Sequence, residues 1–432
     1  MNAPVVLVLA GGAANRFWPL RDKPLLEFGS QTLLARHLRA LQAQGFSRFI
    51  VVCGPEAREK ISAGLTLMGL SDARVAVQAE ARGMADAVLC ARPELERLGE
   101  CPVYITQAQD VVGADLHAAM LQGWSRRPEA LFGLVAAVRV NHYFPGGYLS
   151  LAGERVDSIV EKPGAGNEPS DLVSLVAHVL ASWRPFVERL AAEAPREGQD
   201  DALRQAQDDV YERALSSLMA AHEVRAVVHE GRWQAVKHPW HVLDVMEMLL
   251  DRWLSEAESP GDGYVAGEGG IFLGRDVKIY PGAHVVGPAL IGHGSIIGHN
   301  ALVRGSIVGP RCVVGFGSEV ARSYLGEGVE LHHNYVGDSV LDSGSSMGFG
   351  ATTANFRLDG RSVPSAVGGQ RVDSGREKLG LVLGAGARIG VNTSTMPGVK
   401  IGPAAVCGPN LTIARDVPDG VRVMSGRRYG HL

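Results

Sequence analysis

From residue 279 onward the chain counts in sixes. Ile279, Val285, Ile291, Ile297 and Val303 are six apart, and Val308, Val314 and Val320 resume after one five-residue step. A second register runs through Leu383, Ile389, Thr395, Ile401, Cys407 and Ile413. Glycine commonly follows the apolar position, as in Ile291-Gly292, Ile297-Gly298, Ile389-Gly390 and Ile401-Gly402. One such unit is a short strand plus a turn. Three units make one triangular coil, the aliphatic position fills the interior, and glycine permits the tight corner. Two separate runs in register argue against a Gly-rich loop region or a small β-sandwich. Composition agrees: 35 of the 54 glycines fall in residues 261–432.

The first 260 residues read differently. Short β-branched runs alternate with helical patterns: Val5–Leu9, Leu33–Ala43, Phe49–Cys53, Ala57–Met68 and Val75–Gln78. That alternation predicts βαβ units, a mostly parallel sheet and a Rossmann-like α/β domain. Asp200–Ala221 reads as a polar amphipathic helix and Val242–Ser255 as the helix that closes the domain. The stretch Ser255–Gly263 has the Pro/Gly/Ser and acidic content of a linker. The expected division is 1–254, a linker over 255–263, and 264–432.

Several classes are excluded by composition. A net charge of −4 without a long basic run argues against nucleic acid as the main partner. Apolar residues at 46% against charged residues at 20% suit packed domains. No apolar stretch reaches membrane-spanning length, and the N-terminus lacks the charged region of a signal peptide. The cysteines Cys53, Cys90, Cys101, Cys312 and Cys407 are scattered, with no CxxC pair. A cytoplasmic protein with small buried thiols is the expectation, and Cys312 and Cys407 fall on repeat positions that read as core.

In the first part, strand Val5–Leu9 ends in Ala10-Gly11-Gly12-Ala13-Ala14-Asn15-Arg16, followed by Pro19 and Lys23-Pro24-Leu25. A Gly-rich turn after a strand exposes N–H groups suited to phosphates, and Arg16 and Lys23 add charge. Gln78, Gly83-Met84-Ala85-Asp86-Ala87, Asp110, Glu161-Lys162-Pro163, Trp233 and His238-Pro239-Trp240 follow in that order. Arg16 and Lys23 read equally as solvated cations, and Asp110 as a strand-end cap. The ordered set resembles the sugar-1-phosphate nucleotidylyltransferases over most of residues 5–250. The resemblance implies that Gly11, Gly12, Gln78 and Gly83 hold the nucleotide. It implies that Arg16 and Lys23 act on the phosphates, that Asp110 ligates Mg²⁺, and that Glu161 and Lys162 hold the sugar and its phosphate.

This chain departs from that pattern at several points. Ala14 and Asn15 stand where the family has glycine and Ser/Thr, and Gln109 where it has a glycine before the metal aspartate. The loop between Pro19 and Lys23 is short, and no Asn-Ala-Gly stretch appears near Ser174–Val176. The family's second metal ligand falls on Ala235, which offers no side-chain donor. His238 and Asp244 are nearby substitutes. Trp233, Trp240 and Trp253 read as packing.

In the second part, Leu331-His332-His333-Asn334-Tyr335-Val336-Gly337-Asp338-Ser339 interrupts the register. Gly348–Arg357 and a non-repeat excursion, Leu358–Arg376, follow before coils restart at Leu381. Histidine beside tyrosine and asparagine on such a scaffold suits acyl transfer, with neutral imidazole taking a proton from an amine. A histidine filling a coil corner is the plainer alternative. The repeat resembles the left-handed parallel β-helix of hexapeptide acyltransferases, whose prisms trimerise with acyl-CoA between neighbours. The His332 block resembles the bifunctional N-acetylglucosamine-1-phosphate uridylyltransferase family, in particular its archaeal-type branch. By that resemblance His332 is the general base, and Tyr335 and Asn355 position the amino sugar or acetyl carbonyl. Arg361 holds the sugar phosphate, although Pro364 takes the place of a second cation. Arg322, Arg376 and Lys378 read as solvated surface charges.

The expected function is nucleotidyl transfer from an NTP, UTP or else dTTP, to a sugar 1-phosphate with Mg²⁺. The second activity is acetyl transfer from acetyl-CoA to an amino-sugar 1-phosphate, in a homotrimer. The alternatives are a non-catalytic nucleotide-sugar sensor, or a single-activity enzyme whose β-helix only trimerises it.

Overall fold

In the computed structural model of the chain, residues 3–12, 15–193, 209–255 and 258–425 are described. Two compact units emerge, and they interleave along the sequence. One combines Met1–Ala13 with Leu33–Trp233, the other Ala14–Thr32 with Gln234–Leu432. The segments 14–32 and 234–254 thus group with the repeats.

The first unit is built on a nine-stranded sheet. Its strands are β1 (Val5–Leu9), β2 (Phe49–Cys53), β3 (Arg74–Val77), β4 (Val103–Gln107), β5 (Leu131–Arg139), β6 (Gly147–Ala152), β7 (Arg155–Glu161), β8 (Leu172–Leu180) and β9 (Glu223–His229). The order is β3-β2-β1-β4-β8-β5-β9-β7-β6. All five residues of β1 are buried, as expected of a central strand covered on both faces. Helices α1 (Leu33–Ala43), α2 (Arg58–Leu67), α3 (Met84–Cys90), α4 (Arg92–Leu98), α5 (Ala114–Ser125), α6 (Arg184–Glu193) and α7 (Val210–Ala221) accompany it. Val5, Leu7 and Leu9 pack into the core that α3, α4, α6 and α7 share. Leu33, Leu34, His37, Leu38 and Leu41 form the buried stripe of α1.

The sheet departs from the mostly parallel expectation. β3, β2, β1 and β4 pair in parallel, but β8 runs antiparallel to both β4 and β5, and β7 antiparallel to β6 and β9. The cause is local between β6 and β7. Only Gly153 and Glu154 separate them, Gly153 adopts φ +66°, and so short a loop permits only a hairpin. Of the helix expected over Asp200–Ala221, the part from Val210 is present and residues 200–208 lie outside the described residues, as does Ala14.

In the second unit the chain visits three sheets in turn. The interior column Ile291, Val308, Leu325, Leu341, Leu383, Ile401 runs through the first sheet, and Ile297, Val314, Leu331, Met347, Ile389, Cys407 through the second. Val303, Val320 and Val336 stack in the third. These side chains make one continuous buried core. Buried serines close the corners: Ser295 Oγ donates to Gly309 O at 2.8 Å and accepts from Cys312 N at 3.0 Å. Cys312 occupies such a corner itself, its thiol 3.0 Å from Gly326 O. Ile279 is a correction. It is 45% exposed, because Lys278–Ile279 is the terminal strand of its sheet and nothing stacks beyond it. The His332 block interrupts the six-residue register, as expected, yet still forms a coil, with Tyr335–Gly337 paired between Glu319–Ala321 and Thr352. Helix α8 (His241–Leu254) and the excursion hairpin Pro364–Val367/Gln370–Asp373 complete the unit. Trp240 and Trp253 are buried.

Histidines at the α1/α5 face of the sheet make the first unit acid-sensitive. His37 Nε2 lies 3.2 Å from Thr106 Oγ1, and Tyr104 Oη 2.9 Å from His117 Nδ1. Burial pushes His37 down to about 4 and His117 well below its ordinary value. On the opposite face, burial takes His178 to about 3. The unfolded chain binds these protons below about pH 6.5, whereas the folded one refuses them until about pH 4. Their stabilisation is therefore complete above pH 6.5 and lost as pH falls towards 4. We expect the urea midpoint to drop over that window, with His37 alone worth on the order of 3 kcal/mol and His37→Gln flattening the slope.

Candidate functional site

The acyl-transfer candidates lie in the second unit. After each interior residue of the second sheet comes one column of positions: Gly298, Gly315, His332, Gly348, Gly390, Gly408. Glycine is enforced at most of them. A Cβ on Gly315 would sit 2.4 Å from Leu331 O, and one on Gly390 2.6 Å from Gly408 C. His332 is the exception within this run. Its coil is also shorter, with five residues rather than six from Leu331 to Val336. Asn334, 3% exposed, ties the shortened corner. It accepts from His332 N at 2.5 Å and donates to Gly348 O and Ala351 O at 2.8 and 3.0 Å. The exception to the glycine column is a sequence signal for His332 that the six-residue count alone does not bring out.

His332 and His333 are dissimilar in their surroundings. His333 is stacked between Phe316 and Phe349, at 5.9 and 4.9 Å, and its Nδ1 is 3.2 Å from Phe316 O. Its left-handed φ of 57° fits a structural corner. The His332 imidazole is exposed and lines a groove of about 620 Å³ with Glu330, Met347, Arg388, Cys407 and Met424. Tyr335 and Asn355 come together, Asn355 Nδ2 donating to Tyr335 Oη at 3.2 Å. Asp338, 2% exposed, accepts from the same nitrogen at 2.5 Å. Arg322 forks onto Asp338 through Nε and Nη2, both at 2.7 Å. Arg322 is thus no solvated charge, which corrects the expectation; a buried carboxylate recruits it. Arg376 is corrected likewise, since it pairs with Asp244 and Glu247 on α8. Arg361 stays out of this network: its side chain is 80% exposed and its ion pair is with Asp359 at 3.4 Å.

Also in the second unit, Arg16 and Lys23 sit on a segment anchored to the repeats. Trp18 Nε1 donates to Asp419 Oδ1 at 2.7 Å, and Arg21 pairs with Asp419 at 2.8 Å. The buried Lys400 ammonium lies 5.0 Å from the Trp18 ring and 3.2 Å from Asp416. Tyr324 Oη donates to Glu27 O at 2.7 Å. Burial, with Arg16 and Lys237 as neighbouring cations, lowers Lys23 to about 8. Burial also lowers His238 and His241 to about 4. With those imidazoles neutral, Arg16, Lys23 and Lys237 are the positive groups, and their proximity suits a polyanion.

The first unit holds the remaining candidates. Gly12 adopts φ +123° and faces open space, and a Cβ on Gly11 would approach Gln78 Oε1 to 3.1 Å. Gln78 is 2% exposed, and its Nε2 donates to Gly83 O at 3.0 Å and Asp86 Oδ2 at 2.8 Å. Gly11, Gln78 and Gly83 are therefore neighbours. Glu161 and Lys162 pair with each other at 3.0 Å. Asp110, 8% exposed, accepts from Gln107 Nε2 at 2.6 Å.

Residues 6–159 match the MobA-like NTP transferase domain family, and residues 270–305 the bacterial transferase hexapeptide (six repeats) family. The chain is 25% identical over 459 residues to the bifunctional protein GlmU of Rhodococcus opacus, covering 99% of this chain and 90% of that one. It is 27% identical over 210 residues to the bifunctional sugar-1-phosphate nucleotidylyltransferase/acetyltransferase of Sulfurisphaera tokodaii, covering 48% and 52%. GlmU of Methanococcus maripaludis is 34% identical over 216 residues, covering 47% and 50%. Two of these three matches thus span about half the relative's length. The chain is a relative of the bifunctional nucleotidylyltransferase/acetyltransferases.

The resemblance read from the sequence implies Mg²⁺, and the oxygen donors present fit it. The Asp110 carboxylate fixes the Gln107 amide, and Gln107 Oε1 accepts from Gln109 Nε2 at 3.2 Å. Gln109 Oε1 is left buried without a hydrogen-bond partner. A hard cation taking one carboxylate, one amide oxygen and substrate phosphates matches that set, whereas the Ala235 methyl adds nothing. Among the described residues no cluster of three or more His, Cys, Asp or Glu offers an alternative metal site.

Lys23 sets a pH dependence. It carries its charge below about pH 8 and loses it above. We expect binding of inorganic pyrophosphate, read by calorimetry, to weaken about tenfold as Lys23 deprotonates. Lys23→Arg keeps its charge at all these pH values and removes that part of the dependence.

Proposed function

We propose that the chain makes a nucleotide sugar and acetylates its amino-sugar precursor. The observation that carries the reading is His332, the one side chain among the corner glycines from Gly298 to Gly408, three residues before the Tyr335 that bonds Asn355. In acetyl transfer the substrate amine attacks the thioester carbonyl of acetyl-CoA. His332 takes the amine proton, the C–S bond breaks, and the proton passes to the CoA thiolate. Tyr335 and Asn355 hold the reacting oxygens, and Arg361 is the outlying contact for the sugar phosphate.

In the other half reaction, an oxygen of a sugar 1-phosphate attacks the α-phosphorus of an NTP and the bond to pyrophosphate breaks. Gly11 and Gly12 present backbone to the nucleotide, and Gln78 and Gly83 meet the base. Arg16 and Lys23 neutralise the phosphates, and Glu161 and Lys162 take the sugar phosphate. Asp110 and Gln109 are the residues that would hold Mg²⁺, which aligns phosphates and offsets their charge. UTP with glucosamine 1-phosphate is the favoured pair, with dTTP the other nucleotide and galactosamine 1-phosphate the other amino sugar, acting in a cytoplasmic homotrimer. Among the described residues no helix is long and apolar enough to cross a membrane. The relatives named above all carry bifunctional names, which favours two activities over a silent sensor.

Mass spectrometry of the protein incubated with Mg²⁺, NTPs and sugar 1-phosphates tests the first activity, and a nucleotide-sugar product is expected. Release of CoA from acetyl-CoA with glucosamine 1-phosphate tests the second. His332→Ala lowers it by about 10²–10⁴-fold, and His333→Ala by less than about tenfold. CoA release that survives His332→Ala removes the base assignment.

A further inference from the structure

Tyr335 is held by more than its asparagine partner. Asp338 is 2% exposed and sits at φ 49°, directly after the coil strand that bears Tyr335. Its two carboxylate oxygens receive the Arg322 fork, each at 2.7 Å, and Oδ2 also receives Asn355 Nδ2 at 2.5 Å. The carboxylate accepts only, so the Asn355 amide must turn its nitrogen inwards. That same nitrogen donates to Tyr335 Oη at 3.2 Å. A phenolic oxygen that accepts from this amide has its own O–H left to donate.

We propose that Arg322 and Asp338 are positioning residues that fix Tyr335 as a hydrogen-bond donor to the oxygen that becomes negative during acetyl transfer. The inference rests on the acetyl-transfer reading above and gives Tyr335 a direction. An O–H aimed at the developing oxyanion stabilises the transition state more than the ground state, so its loss falls on kcat. Arg322 touches no substrate in this scheme. It neutralises a buried carboxylate, which orients Asn355, and that amide then fills the acceptor side of Tyr335. Asp338 without its arginine is a buried charge without its counter-ion, which accounts for a pairing this complete.

The test uses the full-length protein. With acetyl-CoA and glucosamine 1-phosphate, Arg322→Met lowers kcat at least about tenfold while KM for acetyl-CoA stays within about twofold. Arg322→Lys, which returns the charge without the fork, recovers part of the rate, and Asp338→Asn reproduces the loss where Arg322→Met fails to fold. A folded Arg322→Met protein with unchanged kcat overturns the proposal. Wild-type protein that releases no CoA removes the acetyl-transfer reading instead.

Discussion

Everything in the repeat unit depends on one contact: the backbone of each coil lying directly on the next. Parallel strands in register bring Ile291, Val308, Leu325, Leu341, Leu383 and Ile401 into one column, and the hydrogen bonds between coils leave no room at the corners. The glycines after the interior positions are consequences of that closeness. A side chain in their column needs a local change in the coil, and at His332 the change is a corner one residue shorter, tied by Asn334. The same closeness brings Arg322, Asp338 and Asn355, which belong to neighbouring coils, within hydrogen-bonding reach.

Charge is distributed on the same principle. The repeat unit buries Asp338 and Lys400 and gives each a partner, Arg322 for one and Asp416 for the other. Around Lys23 it does the reverse: burial, and then the neighbouring cations Arg16 and Lys237, lower the lysine's pKa. Cations held together in this way suit a polyanion, whereas a structural ion pair already has its counter-charge.

Much of this was legible beforehand, for identifiable reasons. The interior residues Ile291, Ile297 and Val303 follow from a strict period, since a prism of three-unit turns repeats its environment every six residues. Helix α1 follows equally well from its 3.6-residue stripe. Ile279 was misread because period says nothing about where the stack ends. The antiparallel half of the first sheet was missed because strand direction depends on connection length, although the two residues between β6 and β7 carried the hint. Arg322 and Arg376 were misread as solvated because their partners, Asp338, Asp244 and Glu247, are distant in sequence.

The sequence by itself determined the coil architecture, the strand that carries the Gly-Gly turn, and the candidates His332, Tyr335 and Asn355, because periodicity and local motif are properties of neighbouring residues. Tertiary structure alone decided which histidine lines the groove and which is stacked between phenylalanines. It decided that Gln109 keeps an unsatisfied oxygen, and that Asp419 and Lys400 anchor the segment bearing Arg16 and Lys23. Those outcomes depend on contacts between residues as far apart as Trp18 and Asp419, and no local pattern encodes a distance of that kind.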